Sequence, residues 1–193
     1  MSQFMLSRDT DWSDLMQFIS DNRETFDYSR KDLNTIAKNG ASAELDFTFL
    51  GFEDIYKDVL NFAPKDKTII DLGCGYAAQS YYFREHEKYI GVDACGNSDT
   101  VIHTENSEFY FMSIQDFIKD VLPVLGIDPK DVFAVCSYVP DKAARELVAG
   151  TFPYCRVYYP GEISVWKLPE RTPQATPRFQ SGSEPLPSAC QRI

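Results

Sequence analysis

"KTIIDLGCGYAAQSYYFREHEKYIGVDACG" (Lys67–Gly96) decides the fold of this chain. A short apolar run, Thr68–Leu72, ends on two glycines set one residue apart, Gly73 and Gly75. An acid, Asp71, stands just before them, and a second apolar run closes on another acid, Asp93. Brief apolar runs bounded by glycine read as buried strands. A glycine pair lets the backbone turn sharply and come close to a ligand with no Cβ in the way.

The segment after the glycines reads as a helix starting at Tyr76 or Ala77, over roughly 76–87. Its N-terminus would aim free N–H groups and partial positive charge at the same turn. Asp93, about twenty residues on, would end the neighbouring strand, where a carboxylate accepts hydrogen bonds from both ribose hydroxyls. NAD and S-adenosylmethionine both suit that frame, and "GCGYAA" (Gly73–Ala78) fits the permissive G-x-G-x-x-G/A dinucleotide pattern. Asp71 separates them. Pyrophosphate over the turn would be repelled by an acid two positions earlier, whereas an ammonium and a sulfonium would not.

Outward from this stretch, the texture of the chain changes on both sides. Downstream, "EFYFMS", "VFAVCS" and "CRVYYP" are further strand-like runs, separated by helix-like segments near 114–125 and 141–150. Strands alternating with helices imply βαβ units, a mainly parallel sheet and a ligand edge at the strand C-termini. Upstream, residues 1–66 carry helical patterns and no convincing strand. Asp11 or Ser13 would cap a helix bearing Leu15, Met16, Phe18 and Ile19, and Gly40 would end another. Phe52, Ile55, Tyr56, Val59 and Leu60 fall at helical spacing before Ala63-Pro64 stops the pattern.

"TIIDLGCGYAAQ" followed by "YIGVDAC" resembles the class I S-adenosylmethionine-dependent methyltransferases, whose first motif reads roughly (D/E)-x-G-x-G and whose second strand ends in an acid. The likeness is close over about 30 residues and extends as a strand-helix order from Lys67 to Gly161. It implies an α/β, Rossmann-like, mainly parallel sheet of about six strands flanked by helices. It implies a cofactor loop of Asp71, Gly73, Cys74, Gly75 and Tyr76, with Asp93 and Ala94 at the ribose. Adenine contact would fall to Ser113, or to Asp116 if the strand runs longer, and to Ile114, although Ser113 also reads as a helix cap and Ile114 as core. Ser137 and Tyr138, in "CSYVPD", would stand where the family faces the methyl group and the acceptor; Tyr138 would turn its ring to the sulfonium, wall the acceptor site or simply pack. "CSYVPD" is not the (D/N/S)-P-P-(Y/F) signature of amino-methylating nucleic-acid enzymes. His103 reads as a surface histidine or a base. No catalytic residue is assigned, because methyl transfer asks mainly for alignment and exclusion of water.

The resemblance also implies a helix and an antiparallel hairpin after "CRVYYP". Only "VYYPGEISVWKL", two strand-like runs around Pro160-Gly161, remains before "RTPQATPRFQSGSEPLPSACQRI" (Arg171–Ile193). That last piece is poor in large apolar groups and reads as a flexible tail. The expected organisation is therefore a helical N-terminal extension or lid (1–66), a shortened cofactor-binding core (67–170) and a tail (171–193). Phe26 and Tyr28 would be the lid rings nearest the cofactor, or simply core. Three readings follow: a methyltransferase acting on a small molecule or protein; a non-catalytic S-adenosylmethionine-binding regulatory module; and, ranked last, an NAD-binding protein. The short sheet leaves room for a protein partner to complete the acceptor site.

Composition bounds these readings. The chain has 193 residues with 44% apolar and 14% aromatic content, enough for one cored domain. A net charge of −10 works against a nucleic-acid partner, whose affinity rests on clustered Lys and Arg. No apolar run reaches bilayer-spanning length and "MSQFMLSRDTDW" lacks the features of a secretory leader, so the expected location is cytoplasmic, off the membrane. Cys74, Cys95, Cys136, Cys155 and Cys190 show no metal-ligand spacing and read as reduced apolar fillers.

Overall fold

Each strand-like run between Thr68 and Tyr158 is a strand, and together they build one sheet. The computed structural model describes residues 5–6, 11–21, 53–94, 101–159, 162 and 164–168. The strands of the main sheet are β2 (Thr68–Leu72), β3 (Lys88–Val92), β5 (Ser107–Tyr110), β6 (Val132–Ser137), β7 (Cys155–Tyr158) and β8 (Val165–Lys167). Their order is β5-β3-β2-β6-β7-β8. All neighbours pair in parallel except β7 and β8. β8 runs back antiparallel to β7, with Cys155 opposite Lys167 and Val157 opposite Val165; the expected turn at Pro160-Gly161 lies outside the described residues.

β2 and β6 are buried along their whole length, as expected of central strands covered on both faces. Alternate residues feed two cores. Ile70, Leu72, Ala134 and Cys136 pack against Phe117, Val148 and Phe152 on one face. Ile69, Phe133 and Val135 pack against Tyr56, Val59 and Phe83 on the other.

Helix α1 (Trp12–Asp21) follows Asp11, whose carbonyl accepts the Leu15 N–H at 3.2 Å. Ser13 lies inside it. Helix α2 (Glu53–Phe62) buries Ile55, Tyr56 and Val59 and stops before Pro64, as the spacing predicts. The expected helix ending at Gly40 and the lid rings Phe26 and Tyr28 lie outside the described residues. Helix α3 (Ile114–Asp116) passes into a π-helical turn, Phe117–Val121, so it is shorter and less regular than the periodicity predicts. Helix α4 (Lys142–Thr151) is capped by Asp141, which accepts from the Ala143 and Ala144 N–H groups.

Two expectations are corrected. Residues 1–66 do contain a strand: β1 (Met5–Leu6) pairs in parallel with β4 (His103–Thr104), a two-residue ladder too short to leave a sequence pattern. The segment after the glycines is a 3₁₀ helix, Ala78–Phe83, and not an α-helix over 76–87. Its turns are closed by i→i+3 bonds, the Ser80 N–H to the Ala77 carbonyl at 3.0 Å and the His86 N–H to the Phe83 carbonyl at 2.9 Å, and the buried run Ala77–Ser80 covers more than one face of an amphipathic α-helix.

Candidate functional site

The strand order reverses between β2 and β6, the position at which open α/β sheets form a crevice outside the strand C-termini. The glycine loop stands there. Gly73 has φ +89° and Gly75 φ +59°, and Ala77, at φ 59°, repeats the left-handed turn. A Cβ on Gly73 would sit 2.4 Å from Cγ2 of Val139, in the loop after β6. Glycine is thus required twice over at position 73, by conformation and by space.

The loop is held by carboxylates on two sides. Asp93, partly buried at the end of β3, accepts the Gly75 N–H through Oδ2 at 2.8 Å. Asp71 is fully buried beneath α2. Its Oδ1 accepts from Tyr56 of α2 (3.1 Å), and its Oδ2 from Tyr89 of β3 and from Gln79, both at 2.7 Å. The second hydrogen of the Gln79 amide goes to the Cys74 carbonyl, also at 2.7 Å. Burial pushes the Asp71 carboxyl up to about 6, against the three hydrogen bonds that favour its charged form. Asp71 therefore acts on the loop from below.

The remaining expected site residues divide clearly. Cys74 is buried, and burial together with Asp93 and Asp71 holds its thiol far above its usual range, so it is a neutral filler and no nucleophile. Tyr76, partly buried, gives its carbonyl to Ile102, and Ala94 is exposed beside Asp93. Ser113 caps α3: its Oγ accepts the Asp116 N–H at 3.1 Å and lies 2.7 Å from the Asp116 carboxylate. Ile114 is buried in the core. Ser137 is buried on the α2 face with its Oγ beside the Tyr56 hydroxyl. Tyr138 turns out of β6 with φ 59°, costly for an aromatic residue, and its ring lies 5.4 Å from that of Tyr158. Its N–H donates to the Tyr158 carbonyl at 3.0 Å. His103 sits on β4 with its ring edge-on to Phe109, 5.0 Å away.

Four working residues escaped the sequence reading: Tyr56, Gln79, Tyr89 and Arg145. The buried Arg145 donates to the carbonyls of Val139 (2.6 Å) and Pro140 (2.9 Å), bonds Glu162 and lies over the Tyr159 ring. It clamps the loop that touches Gly73. Beside it a cavity of about 180 Å³ opens between α4 and the β7–β8 pair, and no glycine-loop residue lines it. Of the expected cysteines, Cys74, Cys136 and Cys155 are free and buried; Cys95 and Cys190 lie outside the described residues. No described helix is long and apolar enough to cross a membrane.

The expectation of a helix N-terminus aimed at the ligand is not met. The N–H groups of Ala77 and Ser80 are bonded to the carbonyls of Cys74 and Ala77, and a six-residue 3₁₀ segment brings little dipole.

No known protein family and no curated protein matches the chain. Among solved structures, it overlaps a protein provisionally named a type II methyltransferase from Anaeromyxobacter dehalogenans, with 19% identity and a TM-score of 0.33, over 44% of this chain and 34% of that one. The chain thus spans about a third of that protein's length. It also overlaps a provisionally named methyltransferase from Streptococcus mutans, solved in complex with S-adenosylhomocysteine, with 14% identity and a TM-score of 0.39, over 55% and 68% of the two chains. The fold assignment rests on the strand order itself. A mainly parallel six-stranded sheet closed by one antiparallel strand, with its glycine loop at the point of reversal and helices on its faces, is an α/β, Rossmann-like fold.

Proposed function

We propose that the chain binds S-adenosylmethionine at the C-terminal ends of β2, β3 and β6 and transfers its methyl group to a small molecule or a protein side chain. One observation carries this reading: the glycine loop is flanked by two carboxylates, Asp93 bonded to the Gly75 N–H and Asp71 directly beneath. A pyrophosphate placed on that loop would meet negative charge and an N–H already occupied, which argues against NAD. A ribose meets the Asp93 carboxylate instead, and a cationic ligand is favoured by the negative charge beneath the loop. Asp93 and Gly75 would hold the ribose side and the backbone of Gly73–Gly75 the amino-acid side, with Tyr138 beyond β6 lending an aromatic face worth about 0.5–2 kcal/mol to a nearby cation. When bound, S-adenosylmethionine supplies a sulfonium-activated methyl group. The protein's own task is to align the acceptor and exclude water, for which Tyr138 and Tyr158 form one wall.

The second reading, a cofactor-binding regulatory module, draws support from the sheet's end at β8, beyond which no described strand pairs. A partner protein completing the acceptor site belongs to either reading. The charge of −10 disfavours a nucleic-acid acceptor.

Two measurements test the proposal. Asp93→Ala should weaken S-adenosylhomocysteine binding by about tenfold or more, since hydrogen bonds to a carboxylate contribute about 1.5–3 kcal/mol each and the Gly75 N–H loses its partner as well. An unchanged affinity in the folded variant removes Asp93 from the site. Labelled methyl transfer into a cell extract should then mark the protein or small-molecule fraction. Label in nucleic acid contradicts the acceptor class, and binding without any transfer favours the regulatory module.

A further inference from the structure

The Gln79 side chain is buried and spends both amide hydrogens at once. One goes to the Asp71 carboxylate and the other to the Cys74 carbonyl, the peptide between the two loop glycines. Tyr56 ties the same carboxylate to α2, and Asp93 holds the loop from its opposite side through the Gly75 N–H. We propose that Gln79 is a positioning residue: it latches the glycine loop to α2 through Asp71 and so sets the affinity of the site for its ligand. As to the ligand, this rests on the S-adenosylmethionine reading; as to the loop, it stands alone.

The geometry favours a latch over mere space-filling. A glutamine that only filled volume would need one partner per hydrogen anywhere in the core, whereas here both partners are parts of the loop's support. The Cys74 carbonyl gains a donor that fixes the peptide plane between two residues of positive φ, where the backbone has several turns open to it. The Asp71 bond is charge-assisted and correspondingly strong. The groups facing that carboxylate are Tyr56 from α2, Tyr89 from β3, Cys74 from the loop and Asp93 from the turn after β3. None is cationic, so the carboxylate depends on neutral donors, of which Gln79 is the one joined to the loop.

The test compares the wild type with Gln79→Leu and Gln79→Glu. Gln79→Leu should bind S-adenosylhomocysteine about tenfold more weakly or worse at every pH, the loss of hydrogen bonds that include a charged acceptor. Its amides at Gly75–Ala77 should exchange faster while those of β2 and β6 keep their wild-type rates. Gln79→Glu has the same shape but no donor when ionised. It should be as weak as the leucine variant at about pH 8 and recover only part of the affinity at about pH 5.5, because a proton shared with Asp71 leaves the Cys74 carbonyl without a donor. Wild-type affinity and wild-type loop exchange in Gln79→Leu would overturn the latch. So would a glutamate variant with wild-type affinity and wild-type loop exchange at about pH 8, where it has no donor, and this decides the matter if the leucine variant does not fold. Should the wild type itself bind no S-adenosylhomocysteine, the cofactor reading fails, and loop exchange alone judges the latch: faster exchange in the variant supports it and equal exchange refutes it.

Discussion

Gly73→Ala should be the most damaging single substitution in the glycine loop, lowering stability by about 2–5 kcal/mol and removing cofactor affinity. Two costs add. An alanine held at φ near +89° gives up about 1–2 kcal/mol, and crowding a packed contact typically adds about 1–3 kcal/mol. The contact is specific: the new Cβ meets Val139 at 2.4 Å, on a loop that Arg145 clamps through the Val139 and Pro140 carbonyls and therefore cannot easily withdraw. Relief by swinging the loop aside would break the Gly73 and Cys74 N–H bonds to the Val92 carbonyl. Urea unfolding and ligand titration check both halves. A Gly73→Ala protein of wild-type stability that still binds ligand would mean that the loop adopts another conformation.

Removing the Asp71 carboxylate should be nearly as costly. Asp71→Ala leaves the hydroxyls of Tyr56 and Tyr89 and one Gln79 hydrogen buried without their acceptor, and each such orphan costs about 1–3 kcal/mol. Part of this is returned, because a charge no longer has to be buried, and because the Tyr56 hydroxyl can turn towards Ser137. The net expectation is a loss of about 2–4 kcal/mol. The pH dependence carries a sharper signature. The folded carboxyl lies at about 6, raised from 3.8, so the native state takes up this proton more readily than the unfolded one. Burying the charge therefore costs nothing below about pH 4 and its full amount above about pH 6. Relative to Asp71→Asn, which does not titrate, the wild type should lose roughly 3 kcal/mol as pH rises through that window. A constant difference between the two across the range would show that Asp71 titrates normally.

The sheet was legible because its strands are short buried runs cut by turn residues, a pattern that survives without any knowledge of pairing. "TIIDL" and "VFAVCS" are apolar on both faces and sit at the centre, while β5, partly buried, sits at the edge. Tyr56 was read correctly as a core helix position, yet its hydroxyl points at Asp71, which helical spacing alone cannot reveal. Tyr89 was hidden for a different reason. It reaches Asp71 only because β3 lies beside β2 with Tyr89 opposite Ile69, and register is not written in either strand alone. The orientation of Asp71 could have been found: strand alternation places it on the same face as Ile69, under α2, where a carboxylate must collect buried donors. Ser113 and Ile114 illustrate the opposite case. Both admitted two readings, and the structure places one as a helix cap and the other in the core.

The central claim is that two carboxylates around one glycine loop select an adenosyl cofactor without phosphates. Calorimetric titration of the full chain with S-adenosylmethionine, S-adenosylhomocysteine and NAD tests it most directly. Saturable one-to-one binding of both adenosyl ligands and no heat from NAD are expected, with the Asp93→Ala variant shifted to weaker affinity. NAD binding in the absence of adenosyl binding would contradict it.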